Sequence, residues 1–132
     1  MLLVLWLSVA LAIGQTAYQP KFPGDPAHSD AEANALGYMR TVIRAQRLYQ
    51  KKNLKFATSL AELVHTGSFT MRMTQTDRGD YQVHFRSRRE GYELTLLPKQ
   101  FDADHRAFYA NEDGTLHAEE GAPATENSPS LK

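Results

Sequence analysis

Near residue 68 the spacing of apolar residues changes from three or four to two, and this change fixes the fold class. Ahead of it, Ser29-Asp30-Ala31-Glu32 has the form of a capping box, which predicts a helix start. Ala35, Leu36, Met39, Val42, Ile43, Gln46 and Tyr49 then fall within one arc of about 140° at helical pitch, and Arg40, Arg44, Arg47 and Lys51 form a separate stripe. Lys51 and Lys52 suit the negative end of the helix dipole, and Asn53 is expected to end the helix in the left-handed conformation. Gly37 costs about 1 kcal/mol relative to alanine, so another backbone is expected to approach closely there.

A shorter helix is predicted from a second capping box, Ser59-Leu60-Ala61-Glu62, with Gly67 as its stop. Beyond Ser68, polar residues alternate with Phe69, Met71 and Met73, then with Tyr81, Val83 and Phe85, then with Tyr92, Leu94 and Leu96. Turns fall at Asp77-Arg78-Gly79-Asp80 and Arg89-Glu90-Gly91, and Pro98 closes the third strand. A last hairpin pairs Ala107-Phe108-Tyr109 with Thr115 to Ala118 across the Asn111-Glu112-Asp113-Gly114 turn. The expected architecture is α+β: one long amphipathic helix packed on a roughly four-stranded antiparallel meander sheet.

The chain begins with an uncharged apolar run, Leu2 to Ile13, shorter than the roughly 18 to 20 residues that span a membrane. Residues 1–14 read as a secretory signal peptide, cleaved after Ala12 or Gly14, although no Lys or Arg precedes the apolar part. Export to the periplasm or the extracellular space follows, and membrane contact is expected only through an uncleaved leader. Residues 15–28 hold Pro20, Pro23 and Pro26 and read as a linker. Residues 29–118 form the folded domain, and residues 119–132, poor in apolar side chains, are expected to be a mobile tail. Without the leader about 118 residues remain, enough for one domain with a modest core. The chain has no cysteine, so packing rather than disulfides must stabilise an exported domain. Net charge is zero but lopsided: residues 29–53 carry five basic and two acidic side chains, residues 90–132 nine acidic and three basic.

Several segments resemble bacterial type IV pilin-like and type II secretion pseudopilin-like head domains. Ala35 to Tyr49 resembles the family's helix, with its Gly, Arg-Thr-Ile-like and Ala-Gln-x-x-Tyr pattern. Phe56 to Leu63 resembles the Ser-Leu-x-x-Leu segment that follows, Gly91 to Pro98 the Gly-Tyr strand ending in Pro, and Phe108 to Leu116 the last hairpin. The resemblance covers roughly residues 31–118 and rests on the order and spacing of these motifs. It implies a helix laid across a four-stranded antiparallel sheet and a role in protein contacts within the cell envelope, accessory to a pilus or secretion machine. It does not extend to the fibre-forming stalk. Gly14 follows the apolar run instead of preceding it, no Glu stands at the offset that registers subunits, and the prolines break any continuous helix.

Catalytic motifs give way to simpler readings. No serine sits in a Gly-x-Ser-x-Gly turn and there is no phosphate loop, so the expected role is non-catalytic. His28, His65, His84, His105 and His117 show no metal-ligand spacing and read as scattered surface histidines. No cofactor is expected, and Asp102 and Asp104 are weak calcium candidates in a solvated acidic loop. The alternative to protein contact is binding of nucleic acid or another polyanion by Arg40, Arg44, Arg47, Lys51, Arg86, Arg88 and Arg89. A solvated helix face and a charged strand edge that blocks aggregation, or internal pairing with the acidic carboxy half, are favoured over it.

Overall fold

In the computed structural model, which describes residues 17–131, a 24-residue helix lies against an antiparallel sheet. The proposed leader lies outside the described residues. Helix α1 spans Asp30–Asn53, and the Ser29 hydroxyl accepts from the Glu32 N–H at 3.1 Å, as the capping box predicts. The helix runs one residue further than expected. Asn53 stays helical and donates its amide to the Tyr49 carbonyl, while Leu54 takes the left-handed conformation (φ 60°) and its N–H reaches the Gln50 carbonyl at 2.8 Å. The second capping box is reduced to a single 3₁₀ turn, Ala61–Leu63.

Five strands follow: β1 (Asp77–Arg78), β2 (Tyr81–Arg88), β3 (Gly91–Pro98), β4 (Ala107–Asn111) and β5 (His117–Glu119). They are antiparallel neighbours in chain order, the meander expected from sequence. Tyr81, Val83, Tyr92, Leu94, Leu96, Phe108, Ala110 and Ala118 share one core with Leu36, Met39, Val42 and Ile43 of α1. Strand alternation and helix period therefore meet at one buried layer.

Two strand expectations are corrected. Phe69, Met71 and Met73 do not form a strand: Met71–Thr74 is a 3₁₀ turn, held by Met73 N–H to the Thr70 carbonyl at 3.0 Å and by the Thr74 hydroxyl to the Met71 carbonyl at 2.7 Å. Phe69 alone is buried, and Met71 is exposed, so period-two spacing here marks no pleated face. Asp77 and Arg78, expected in a turn, instead form β1, and the chain reverses through Gly79, whose φ of 66° suits glycine.

The expectation of a mobile tail is corrected as well. Ala118 N–H donates to the Pro129 carbonyl at 2.9 Å and Leu131 N–H to the Leu116 carbonyl at 2.8 Å, so the tail returns alongside β5. Ala124 is buried with Ala107 and Tyr109 on the sheet face away from α1. Backbone hydrogen bonds and small side chains hold this segment where apolar bulk is lacking. The residues read as a linker also pack: Ala27 enters the core, and Asp25 accepts from the N–H groups of Lys21 and Ala27.

Gly37 does not serve a close approach. It is exposed, and a Cβ there would meet nothing within 4 Å. Replacing Gly37 by alanine is therefore expected to raise stability by about 1 kcal/mol, the full difference in helix propensity. Urea unfolding checks this; an unchanged midpoint would show that Gly37 has a role in the folded state.

Candidate functional site

A concavity of about 740 Å³ lies between α1 and the β1 side of the sheet. Tyr38 and Thr41 of α1 form one wall, and Arg72, Met73, Arg78 and Tyr81 line the rest. The Arg78 guanidinium stacks over the Tyr38 ring at 4.2 Å, and the Tyr38 hydroxyl donates to the Met73 carbonyl at 3.0 Å. Burial, partly countered by Arg78, pushes the Tyr38 phenol up to about 12, so it is a neutral hydrogen-bonding group. The groove thus presents guanidinium donors from Arg72 and Arg78, while the Tyr38 hydroxyl is already engaged.

Beside it, His105 bridges two loops. Its Nδ1 lies 2.7 Å from Asp102 Oδ1 and its Nε2 lies 2.9 Å from Asp80 Oδ2. Only the imidazolium carries hydrogen on both nitrogens, so the geometry describes the charged form. Burial lowers the His105 pKa, but hydrogen bonds and charge from Asp80 and Asp102 outweigh it and hold the ring above its ordinary value. With both nitrogens engaged, His105 has no lone pair to act as a general base. The Asp102 carboxylate also accepts the Asp104 N–H at 2.9 Å, so this calcium candidate is turned toward its own loop. Among the described residues, no group of three or more His, Asp or Glu side chains could hold a metal ion.

A group with a raised folded pKa contributes stability below its unfolded value and loses that contribution as pH rises through the folded one. The His105 bridge is therefore expected to be intact below about pH 6.5 and to be lost in the alkaline direction. Melting temperatures of the protein and of His105→Gln should differ most at about pH 6 and converge at higher pH. A constant difference across that range would contradict the assignment.

The seven basic candidates do not gather on one surface. Arg86 and Arg88 alternate with the core-facing residues of β2 and so point away from α1. There Arg86 pairs with Glu93, and Arg88 Nη2 lies 2.8 Å from Glu112 Oε2. Arg40 sits over the Phe22 ring at 5.1 Å, and the Arg47 guanidinium lies against Gly114. Arg44, Lys51 and Arg89 are exposed and take part in no ion pair among the described residues.

Two features of the domain escape sequence reasoning. Glu32 is fully buried, and its carboxylate accepts from His28 N–H (3.0 Å), Arg106 N–H (2.8 Å), Arg106 Nη2 (2.7 Å) and Arg106 Nε (3.1 Å). Arg106 Nη2 also donates to the Pro26 carbonyl at 2.8 Å, so one ion pair ties the helix start, the segment before it and the approach to β4. Burial raises the Glu32 pKa, but the Arg106 hydrogen bonds and charge overcome it and leave the carboxyl below its ordinary range. Gln46, likewise fully buried, gives its amide hydrogen to the Ala57 carbonyl (3.1 Å) and accepts the Ala57 N–H (2.8 Å). Three residues on, the Tyr49 hydroxyl donates to Glu62 at 3.1 Å. The Ala-Gln-x-x-Tyr pattern is thus a clasp that fastens the segment after α1.

The chain matches no family model, no curated protein and no solved structure.

Proposed function

We propose that this protein is a non-catalytic, exported, pilin-like head that works through protein contacts in the cell envelope, as an accessory to a pilus or secretion machine. The observation that carries the reading is the placement of the resembling segments. Ala35 to Tyr49 is the covering helix, Gly91 to Pro98 is the central strand, and Phe108 to Leu116 runs from β4 through the Asn111 to Gly114 turn toward β5. The 740 Å³ groove adds a concave surface for a partner, and His105, saturated by two carboxylates, is suited to bracing a loop. Division of the arginines between two faces supports protein contact over a polyanion groove.

Cell fractionation tests the proposal. Recovery from the periplasm or the medium is the expected result. A protein confined to the cytoplasm with Met1 intact would overturn it.

A further inference from the structure

The two edges of the sheet are treated differently. The β5 edge is covered by the returning tail, through the Pro129 and Leu131 backbone. The β2 edge is covered only at its start, where β1 pairs with Tyr81 and Gln82 and the Val83 N–H reaches the Thr76 carbonyl at 2.8 Å. On the other side of β2, Lys99 N–H donates to the Asp80 carbonyl, so even-numbered residues turn their backbone groups toward β3 and odd-numbered ones toward the edge. Phe85 and Ser87 therefore present N–H and C=O groups outward, and these have no backbone partner among the described residues beyond β1.

A second hollow of about 480 Å³ adjoins this edge, lined by Leu54, Lys55, Phe56, Thr58, Ser87 and Arg88 among others. Leu54, held out by its left-handed backbone, is 86% exposed at the rim. The surroundings are basic. Lys51, Lys52 and Lys55 stand at the end of α1 and Arg89 at the end of the hairpin, none in an ion pair among the described residues, against two local carboxylates in no ion pair, Glu90 and Glu62, the second of which accepts from Thr58.

We propose that the open edge of β2 at Phe85 and Ser87 takes an extended acidic segment of a partner protein as an added strand, with one apolar side chain of that segment seated against Leu54 and Phe56. Main-chain hydrogen bonds supply the docking, and the hollow and the cations select the sequence. A second copy of this chain is disfavoured, because antiparallel pairing of Phe85 with Ser87 of the other β2 edge sets Arg86 directly opposite Arg86. The proposal rests on the protein-contact reading and gives that contact a chemistry.

The test uses the full chain and backbone amide NMR. The probes are a terminally blocked peptide alternating glutamate and valine, its lysine counterpart, and the glutamate peptide with every amide N-methylated. The glutamate peptide is expected to slow exchange of the Phe85 and Ser87 amides about tenfold or more at saturation. The lysine peptide should bind about tenfold more weakly, and the methylated peptide should give no protection. Ser87→Pro, which removes an edge donor but no bond to β3, should abolish the protection. Unchanged exchange, equal binding of the acidic and basic peptides, or self-association through these amides would overturn the proposal. In a protein recovered from the envelope, any of these defeats the edge assignment alone; cytoplasmic recovery with Met1 intact defeats the reading beneath it.

Discussion

Replacing Arg106 by methionine is expected to destabilise the protein by about 3 to 5 kcal/mol, the largest effect of any single substitution outside the apolar core. The substitution roughly preserves bulk but leaves the Glu32 carboxylate buried with only the His28 and residue-106 backbone N–H groups as donors. The sign of the pH dependence identifies the cause. In the native protein the Glu32 pKa is depressed, so its contribution is present above the unfolded carboxyl value and is lost as pH falls through the folded one. In the methionine variant desolvation is no longer countered, the folded pKa rises, and the variant is relieved by protonation. The gap between the two proteins should narrow as pH falls from about 7 to about 4. Urea unfolding at several pH values checks this, and a gap independent of pH would mean that lost packing rather than charge is responsible. The double substitution Glu32→Gln with Arg106→Met should recover part of the loss, because it removes the unpaired charge.

Replacing Gln46 by leucine is expected to cost about 2 to 4 kcal/mol, although the change puts an apolar side chain into the apolar arc of α1. Gln46 serves both polar groups of Ala57, itself fully buried, and leucine leaves the Ala57 N–H and C=O without partners. Gln46→Glu separates the two bonds: its carboxylate can still accept the N–H but cannot give a hydrogen to the carbonyl when ionised. That variant should be destabilised at neutral pH and improve as pH falls. Hydrogen exchange at Ala57 would follow the loss locally. A Gln46→Leu protein as stable as the parent would show that the segment after α1 is held by its apolar contacts alone.

These two side chains also show where reading the sequence stops. Local rules carry α1, because the Ser29 cap, the apolar arc and the basic last turn all act within a few residues of one another. They carry the β2–β3 hairpin too, where Tyr81, Val83 and Phe85 alternate against Tyr92, Leu94 and Leu96 in the observed register. They miss Glu32, because a capping box already explains a glutamate at that position, while its real partner lies 74 residues away. The capping geometry is itself shifted, since Glu32 reaches the His28 N–H.

The misread strand at Phe69 to Met73 and the misread tail share a cause. In the first, Met71 and Met73 sit on a 3₁₀ turn to which Tyr38 of another element adds a hydrogen bond at the Met73 carbonyl, and Phe69 is buried ahead of it. In the second, Ala124 and Ser128 are too small to signal burial, and the stabilising bonds run through backbone to β5. Of the functional candidates, the basic residues were visible as a set because charge is legible in sequence. Their separation onto two faces was not, since it depends on which face of β2 meets α1. Asp102 was visible as a ligand type, but its use by His105 depends on Asp80 closing the other side of the ring.

The central claim is that this domain acts as a free head delivered beyond the cytoplasmic membrane, and the amino terminus of the mature protein tests it most directly. Sequencing of the protein recovered from the envelope or the medium should find it starting at Ile13 or Gln15, after removal of the apolar run. An intact Met1, or a mature chain that keeps Leu2 to Ile13 at its start, would contradict the claim.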